Sequence, residues 1–160
     1  MNIITFSGID GSGKSTQLAR LQSRLEAEGK RVAYFHAVAF SLPQAAKSLF
    51  QRRSNTPGTA KAVTRSSSLG VWLRQGVLLF DLFRFHRYLK DLEHEGVEYL
   101  LSDRYFYDSL VNIAYLDGTP LDTPYARFAA RRIPKPTRAF FLSVSPDTVM
   151  ARERAPEQGL

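Results

Sequence analysis

The stretch Gly8-Ile9-Asp10-Gly11-Ser12-Gly13-Lys14-Ser15 has the spacing G-x-x-x-x-G-K-[ST]. Each residue type in it answers a demand of phosphate chemistry. Gly11 and Gly13 let backbone N–H groups turn inward around phosphate oxygens, where a side chain would block the approach. A helix that begins behind them adds the positive end of its dipole. Lys14 can reach the β- and γ-phosphates and the Ser15 hydroxyl can ligate Mg²⁺, with Gly8, Ser12 and Thr16 completing the cradle. Asp10 is out of keeping with a triphosphate, which would repel it. It suits the acceptor side of a reaction, through Mg²⁺, water or a ribose hydroxyl, or else it closes the loop as an Asx turn. A second cluster, Ser102-Asp103-Arg104-Tyr105, follows an apolar run. There Asp103 can hold Mg²⁺ or its water, and Arg104 can clamp a phosphoryl oxygen. A helix cap or a surface ion pair would also account for an Asp-Arg dipeptide.

These groups need a frame. Ile3 to Phe6 reads as a buried strand running into the glycine loop. A helix is expected from about Lys14 to Glu28, with Leu18, Leu21 and Leu25 on one face and Gly29 as its stop. Arg31 to Phe35 reads as a second strand, so the opening has the βαβ order of a parallel sheet. Residues 52–68 are polar and read as a mobile loop. A long helix is expected over Leu69 to Glu95, with Leu69, Trp72, Leu73, Leu79, Phe80, Phe83 and Leu92 as its apolar face. Gly76 within it marks a bend or close packing. A third strand is expected at Val97 to Leu101, helices at Tyr105 to Leu116 and Pro124 to Arg132, and a fourth strand at Thr137 to Val144. Ser145-Pro146-Asp147 would then cap a last helix. In an open parallel sheet ligands bind beyond the carboxyl ends of the strands, which would bring Asp103 and Arg104 beside the phosphate loop.

The whole-chain properties agree with one α/β domain over residues 1–160. Apolar residues make up 44% and charged residues 23% of the chain, as in ordinary globular domains. The net charge of +7 favours an anionic partner such as a nucleotide. The basic residues are spread along the chain rather than interleaved with aromatics, which speaks against a nucleic-acid platform. The absence of cysteine excludes disulfide frameworks and thiolate zinc sites and suits a reduced, cytoplasmic setting. No segment reads as a signal peptide or a membrane span. His36, His86 and His94 read as structural or surface residues, which leaves nucleotide-borne Mg²⁺ as the expected metal.

On Phe6 through Gln17, Leu78-Leu79-Phe80 with Arg84, Asp103-Arg104-Tyr105, and Pro136 through Asp147, the chain resembles the thymidylate kinase family of nucleoside monophosphate kinases. The resemblance spans nearly the whole chain and is tightest in the first 30 residues. It implies a three-layer P-loop NTPase fold, a parallel sheet flanked by helices, expected in this sequence to be truncated, as in a fragment, or to miss its last strand. It also implies ATP and Mg²⁺ as cofactors, dTMP as acceptor, and a homodimer packed through long helices. Phe80 would stack on the base and Arg84, one helical turn on, would hydrogen-bond it; plain core packing is the other reading of Phe80. Arg104 would contact the transferring or acceptor phosphate. Asn112 and Tyr115 match a pair that lines the acceptor pocket, with Ser109 a rival for that role. Arg152 and Arg154 would be lid arginines, with the lid beginning at about 150–160, or else part of a solvated helix face.

Two departures from the family pattern stand out. The stretch His36 to Pro43 lacks the arginine that grips the acceptor phosphate, which leaves Arg52, Arg53 or Arg65 to supply one. The segment that would hold adenine is also missing. The leading expectation is phosphoryl transfer from ATP·Mg²⁺ to dTMP. The alternatives are a kinase for a deoxynucleoside or another small alcohol, with Asp103 or Asp10 as base, and a nucleotide-binding module or NTPase without a small acceptor.

Overall fold

Strand β1 (Asn2–Gly8) places β-branched and aromatic residues on both faces, as a central strand covered on two sides must. In the computed structural model, which describes residues 1–41 and 68–145, it pairs in parallel with β3 (Tyr99–Asp103) on one side and β4 (Arg138–Leu142) on the other. β2 (Val32–His36) pairs in parallel with β3, which gives the order β2-β3-β1-β4. The helices are α1 (Lys14–Ala27), α2 (Ala37–Phe40), α3 (Ser68–His94), α4 (Phe106–Asp117) and α5 (Pro124–Arg132).

The sheet is sandwiched between two apolar clusters, which makes three layers. Leu101 and Phe6 pack with Leu18 and Leu25 of α1 on one face. Leu100, Ile3 and Phe35 pack with Leu82 and Phe85 of α3, Phe106 and Leu110 of α4 and Ala129 of α5 on the other. The adjacent Leu100 and Leu101 serve opposite layers because side chains alternate along a strand. The architecture is thus the expected α/β parallel sheet flanked by helices, with four strands among the described residues. No helix among them is long and apolar enough to cross a membrane.

Several expected boundaries shift. β3 begins at Tyr99 because the Val97 N–H closes α3 by donating to the Leu92 carbonyl at 2.9 Å. Asp103 therefore ends the strand rather than following it. β4 begins at Arg138 because Thr137 is used as a tie to β1, its N–H donating to the Ile3 carbonyl at 2.7 Å. The short α2 was not foreseen.

The apolar face of α3 needs a larger correction. Trp72, Leu73, Phe80 and Phe83 are exposed, from 50% for Phe80 to 74% for Trp72, while Leu78, Leu82, Phe85 and Leu92 form the buried row. Apolar residues occur around the whole circumference of this helix, so two helical rows compete, and the row facing the sheet is the one without Trp72 and Phe83. Gly76 lies on the exposed face, and a Cβ there would meet nothing within 4 Å. The helix continues through it, so it does not mark close packing among the described residues. The segment 52–67 of the expected mobile loop with Arg52, Arg53 and Arg65, the side chain of Leu69, the expected last helix and the lid with Arg152 and Arg154 lie outside the described residues.

Candidate active site

Parallel pairing aligns the carboxyl ends of three strands. Phe6 of β1 and His36 of β2 both stand in register with Asp103 of β3. The chain leaves β1 through Gly8 and winds back into α1 at Lys14, so the loop 8–15 sits above this row. Gly8 has φ +143°, and a Cβ there would collide with the Leu142 carbonyl oxygen and approach Ser12 Oγ to 3.2 Å. Gly8→Ala is accordingly expected to cost roughly 1–3 kcal/mol for the backbone conformation alone. The collision with β4 adds to this, and nucleotide affinity should fall with stability in a denaturation and calorimetry pair. Gly13, at φ +90°, forms the left-handed turn from which α1 starts without a side-chain cap. That leaves the first N–H groups of α1 directed at the cleft, as anion binding requires.

An open cleft of ≈ 640 Å³ runs from this loop across the end of β3 to the end of β2. Its walls contain Asp10, Gly11, Ser12, Gly13, Lys14, Ser15, Thr16, Asp103 and Arg104, so both sequence clusters meet in one place. Lys14 is almost buried, with Nζ donating to the Ile9 carbonyl at 2.8 Å and lying 3.8 Å from Asp10. Ser15 Oγ donates to Asp103 Oδ2 at 3.1 Å. Arg104 Nη2 pairs with Asp10 Oδ1 across the cleft. That hydrogen bond first, and the arginine's charge second, hold the Asp10 carboxyl below its ordinary value. Asp10 therefore stands as an ionised partner of Arg104 at the mouth of the phosphate loop, within 3.8 Å of the Lys14 ammonium.

Asp103 and Ser12 are buried, yet Asp103 Oδ1 and Ser12 Oγ find no partner among the described residues. Buried polar atoms are rarely left so, and here both lie beside the phosphate loop. The Ser15 hydroxyl and the Asp103 carboxylate, already joined to each other, form a donor set that fits Mg²⁺ held mostly by phosphates and water. Among the described residues no group of three or more His, Cys, Asp or Glu side chains is arranged to hold a metal ion.

Other candidates stand apart from this cleft. Phe80 lines a shallow apolar concavity with Trp72, Leu73, Gly76 and Val77 on the outer side of α3. Arg84 donates to the Phe40 carbonyl and to Asp81 Oδ1, both at 3.2 Å, and its guanidinium lies 4.5 Å over the Phe40 ring. It ties α3 to α2. Asn112 and Tyr115 are exposed on α4, Tyr115 at 80%, while Ser109 is half-buried there. Conversely, Arg20 and His36 line the cleft although neither was among the candidates. The available signals were helical spacing for Arg20, one turn beyond Thr16, and for His36 its position at the end of a strand. His36 Nδ1 accepts the Ala39 N–H at 3.3 Å, which leaves Nε2 as the donor.

A glycine-lined phosphate loop between a central parallel strand and a helix, with a carboxylate and an arginine at the neighbouring strand end, defines an α/β protein of the P-loop class. No protein-family model matches the chain. It is 28% identical over 152 residues to a thymidylate kinase of Caenorhabditis elegans, covering 94% of this chain and 66% of that one. A solved thymidylate kinase from Candida albicans superposes with a TM-score of 0.57 at 18% identity, covering 98% of this chain and 68% of that one; this likeness concerns the fold. The chain thus spans about two thirds of the length of each. The relative is similar to this chain along nearly its whole length, and the structural neighbour shares its fold.

Proposed function

We propose that this chain carries out ATP- and Mg²⁺-dependent phosphoryl transfer to a nucleoside monophosphate, dTMP to dTDP, in the cytoplasm. The observation that supports this best is the meeting of Lys14 and Ser15 with Asp103 and Arg104 in one cleft. Phosphoryl transfer asks little covalent chemistry of the protein, so positioning and charge neutralisation supply the rate. The loop N–H groups and Lys14 would hold the donor phosphates. Ser15 and Asp103 would hold Mg²⁺, which when bound spreads charge across the phosphates. Arg104, oriented by Asp10, would face the transferring group from the β3 side. Arg20 and His36 add positive or donor groups farther along the cleft, where an acceptor monophosphate would lie. Base contacts from Phe80 and Arg84, acceptor contacts from Asn112 and Tyr115, and lid contacts from Arg152 and Arg154 are part of the same proposal. So is a homodimer through the exposed apolar row of α3.

The second reading is a kinase for a nucleoside hydroxyl. It is favoured by a cleft that holds two carboxylates, Asp10 and Asp103, either of which could accept a proton. The experiment that separates the two measures ADP formation from ATP·Mg²⁺ with dTMP, thymidine, the other monophosphates and nucleosides, and no acceptor. Turnover with dTMP is the expected result. Turnover with thymidine instead would shift the reading to the hydroxyl acceptor, and ATP binding without acceptor-dependent turnover would overturn both.

A further inference from the structure

Arg104 is the one residue other than glycine with positive φ among the described residues, at +62°. A side chain bearing Cβ avoids that region, so its neighbours have to enforce it. Enforcement comes from both sides. The Arg104 N–H donates to the Phe6 carbonyl at 2.9 Å. The Arg104 carbonyl accepts from Ser102 Oγ at 2.5 Å. The next N–H, that of Tyr105, donates to Asp108 Oδ2 at 2.8 Å. The same carboxylate oxygen accepts the Ser7 hydroxyl, also at 2.8 Å.

Capping of α4 accounts for the bond from Tyr105 to Asp108, because an acid in the first turn satisfies a free N–H. It does not account for Ser7. That residue lies on β1, immediately before Gly8, where the phosphate loop begins. One carboxylate oxygen therefore joins the strand that delivers the donor site to the peptide that follows Arg104. The far end of Tyr105 is also fixed: its hydroxyl donates to the Pro134 carbonyl at 2.9 Å, and its ring is buried.

We propose that Asp108 is a positioning residue for Arg104: by holding the Tyr105 N–H and Ser7 together, it keeps the left-handed backbone at Arg104 in register with the phosphate loop. The assignment rests on the proposed phosphoryl transfer in which Arg104 takes part. Asp108 touches no substrate in this scheme and acts through the peptide of its neighbour.

The test uses Asp108→Ala, Asp108→Asn and Ser7→Ala, each alone and combined with Arg104→Ala. kcat and acceptor KM are measured separately, together with calorimetric ATP affinity, melting temperature and amide exchange at Tyr105. Asp108→Ala is expected to lower kcat on the order of 10- to 100-fold with ATP affinity unchanged, as displacement of a catalytic group by about 1 Å does. Asp108→Asn should restore most of the rate, since its amide oxygen can accept the Tyr105 N–H. In the Arg104→Ala background the further loss should be within about twofold, because the residue acted upon is gone. A loss that instead multiplies with that of Arg104→Ala would reduce Asp108 to a helix cap and overturn the proposal. If Asp108→Ala does not fold, Ser7→Ala, which leaves the cap intact, should show a smaller loss that also vanishes in the Arg104→Ala background; persistence there counts against the proposal. If the unaltered chain transfers no phosphoryl group, the functional reading fails on its own. Amide exchange then decides the structural part. Faster exchange at Tyr105 confined to the 104–105 segment in Asp108→Ala upholds the hold on Arg104, and unchanged exchange refutes it.

Discussion

Lys14→Ala is expected to lower acceptor-dependent ADP formation by roughly 10²- to 10³-fold or more, the range seen when one preorganised donor to a developing negative charge is removed. The ammonium is already positioned before nucleotide arrives, almost buried, with Nζ 2.8 Å from the Ile9 carbonyl. Little reorganisation is then needed when phosphates enter and replace that carbonyl as its partner. The substitution should leave the fold intact, because alanine is the best helix former and Lys14 is the first residue of α1. Steady-state kinetics with a melting curve on the same sample would check both halves. A rate within about threefold of the unaltered chain would remove the cleft from the chemistry. Lys14→Arg should rescue poorly, since a planar guanidinium does not reproduce a compact ammonium in a closely fitted loop.

The largest effect on stability is expected from Phe85→Ala, at about 3–5 kcal/mol. Phe85 is fully buried, with ring centroids 4.6 Å from Phe35, 4.9 Å from Phe106 and 5.7 Å from Tyr105. It thus links α3, β2 and the start of α4, and the surrounding aromatic rings are too rigid to close the gap. Urea denaturation would read the loss as a lower midpoint. A loss below about 1 kcal/mol would mean that the cluster collapses into the space. Phe85 packs against Tyr105, the residue after Arg104, so this variant should also lower activity at temperatures where it is still folded.

The part of this protein legible in its sequence is the part governed by local chemistry. The loop 8–15 could be read because the turn itself demands glycine, lysine and serine at fixed spacing. The Asp103-Arg104 pair could be placed because strand ends of a parallel sheet converge on one crevice. The bounds of β3 and β4 shifted because Val97 and Thr137 spend their N–H groups on a helix end and a strand tie. The outward face of α3 was misread for a different reason. Leu78, Leu82 and Phe85 form one row and Trp72, Phe80 and Phe83 another, and composition alone does not choose between them. Arg20 and His36 escaped because their place in the cleft follows from strand register and helix packing, which are properties of the assembled sheet.

The left-handed backbone at Arg104 separates what is good for folding from what is good for the reaction. Glycine at position 104 would relieve the conformation and raise stability while deleting the guanidinium. A library of variants screened only for heat resistance would therefore drift toward glycine there and lose activity with no warning from the melting curve. Position 104 is a place where selection for thermal robustness and selection for turnover pull the same codon in opposite directions.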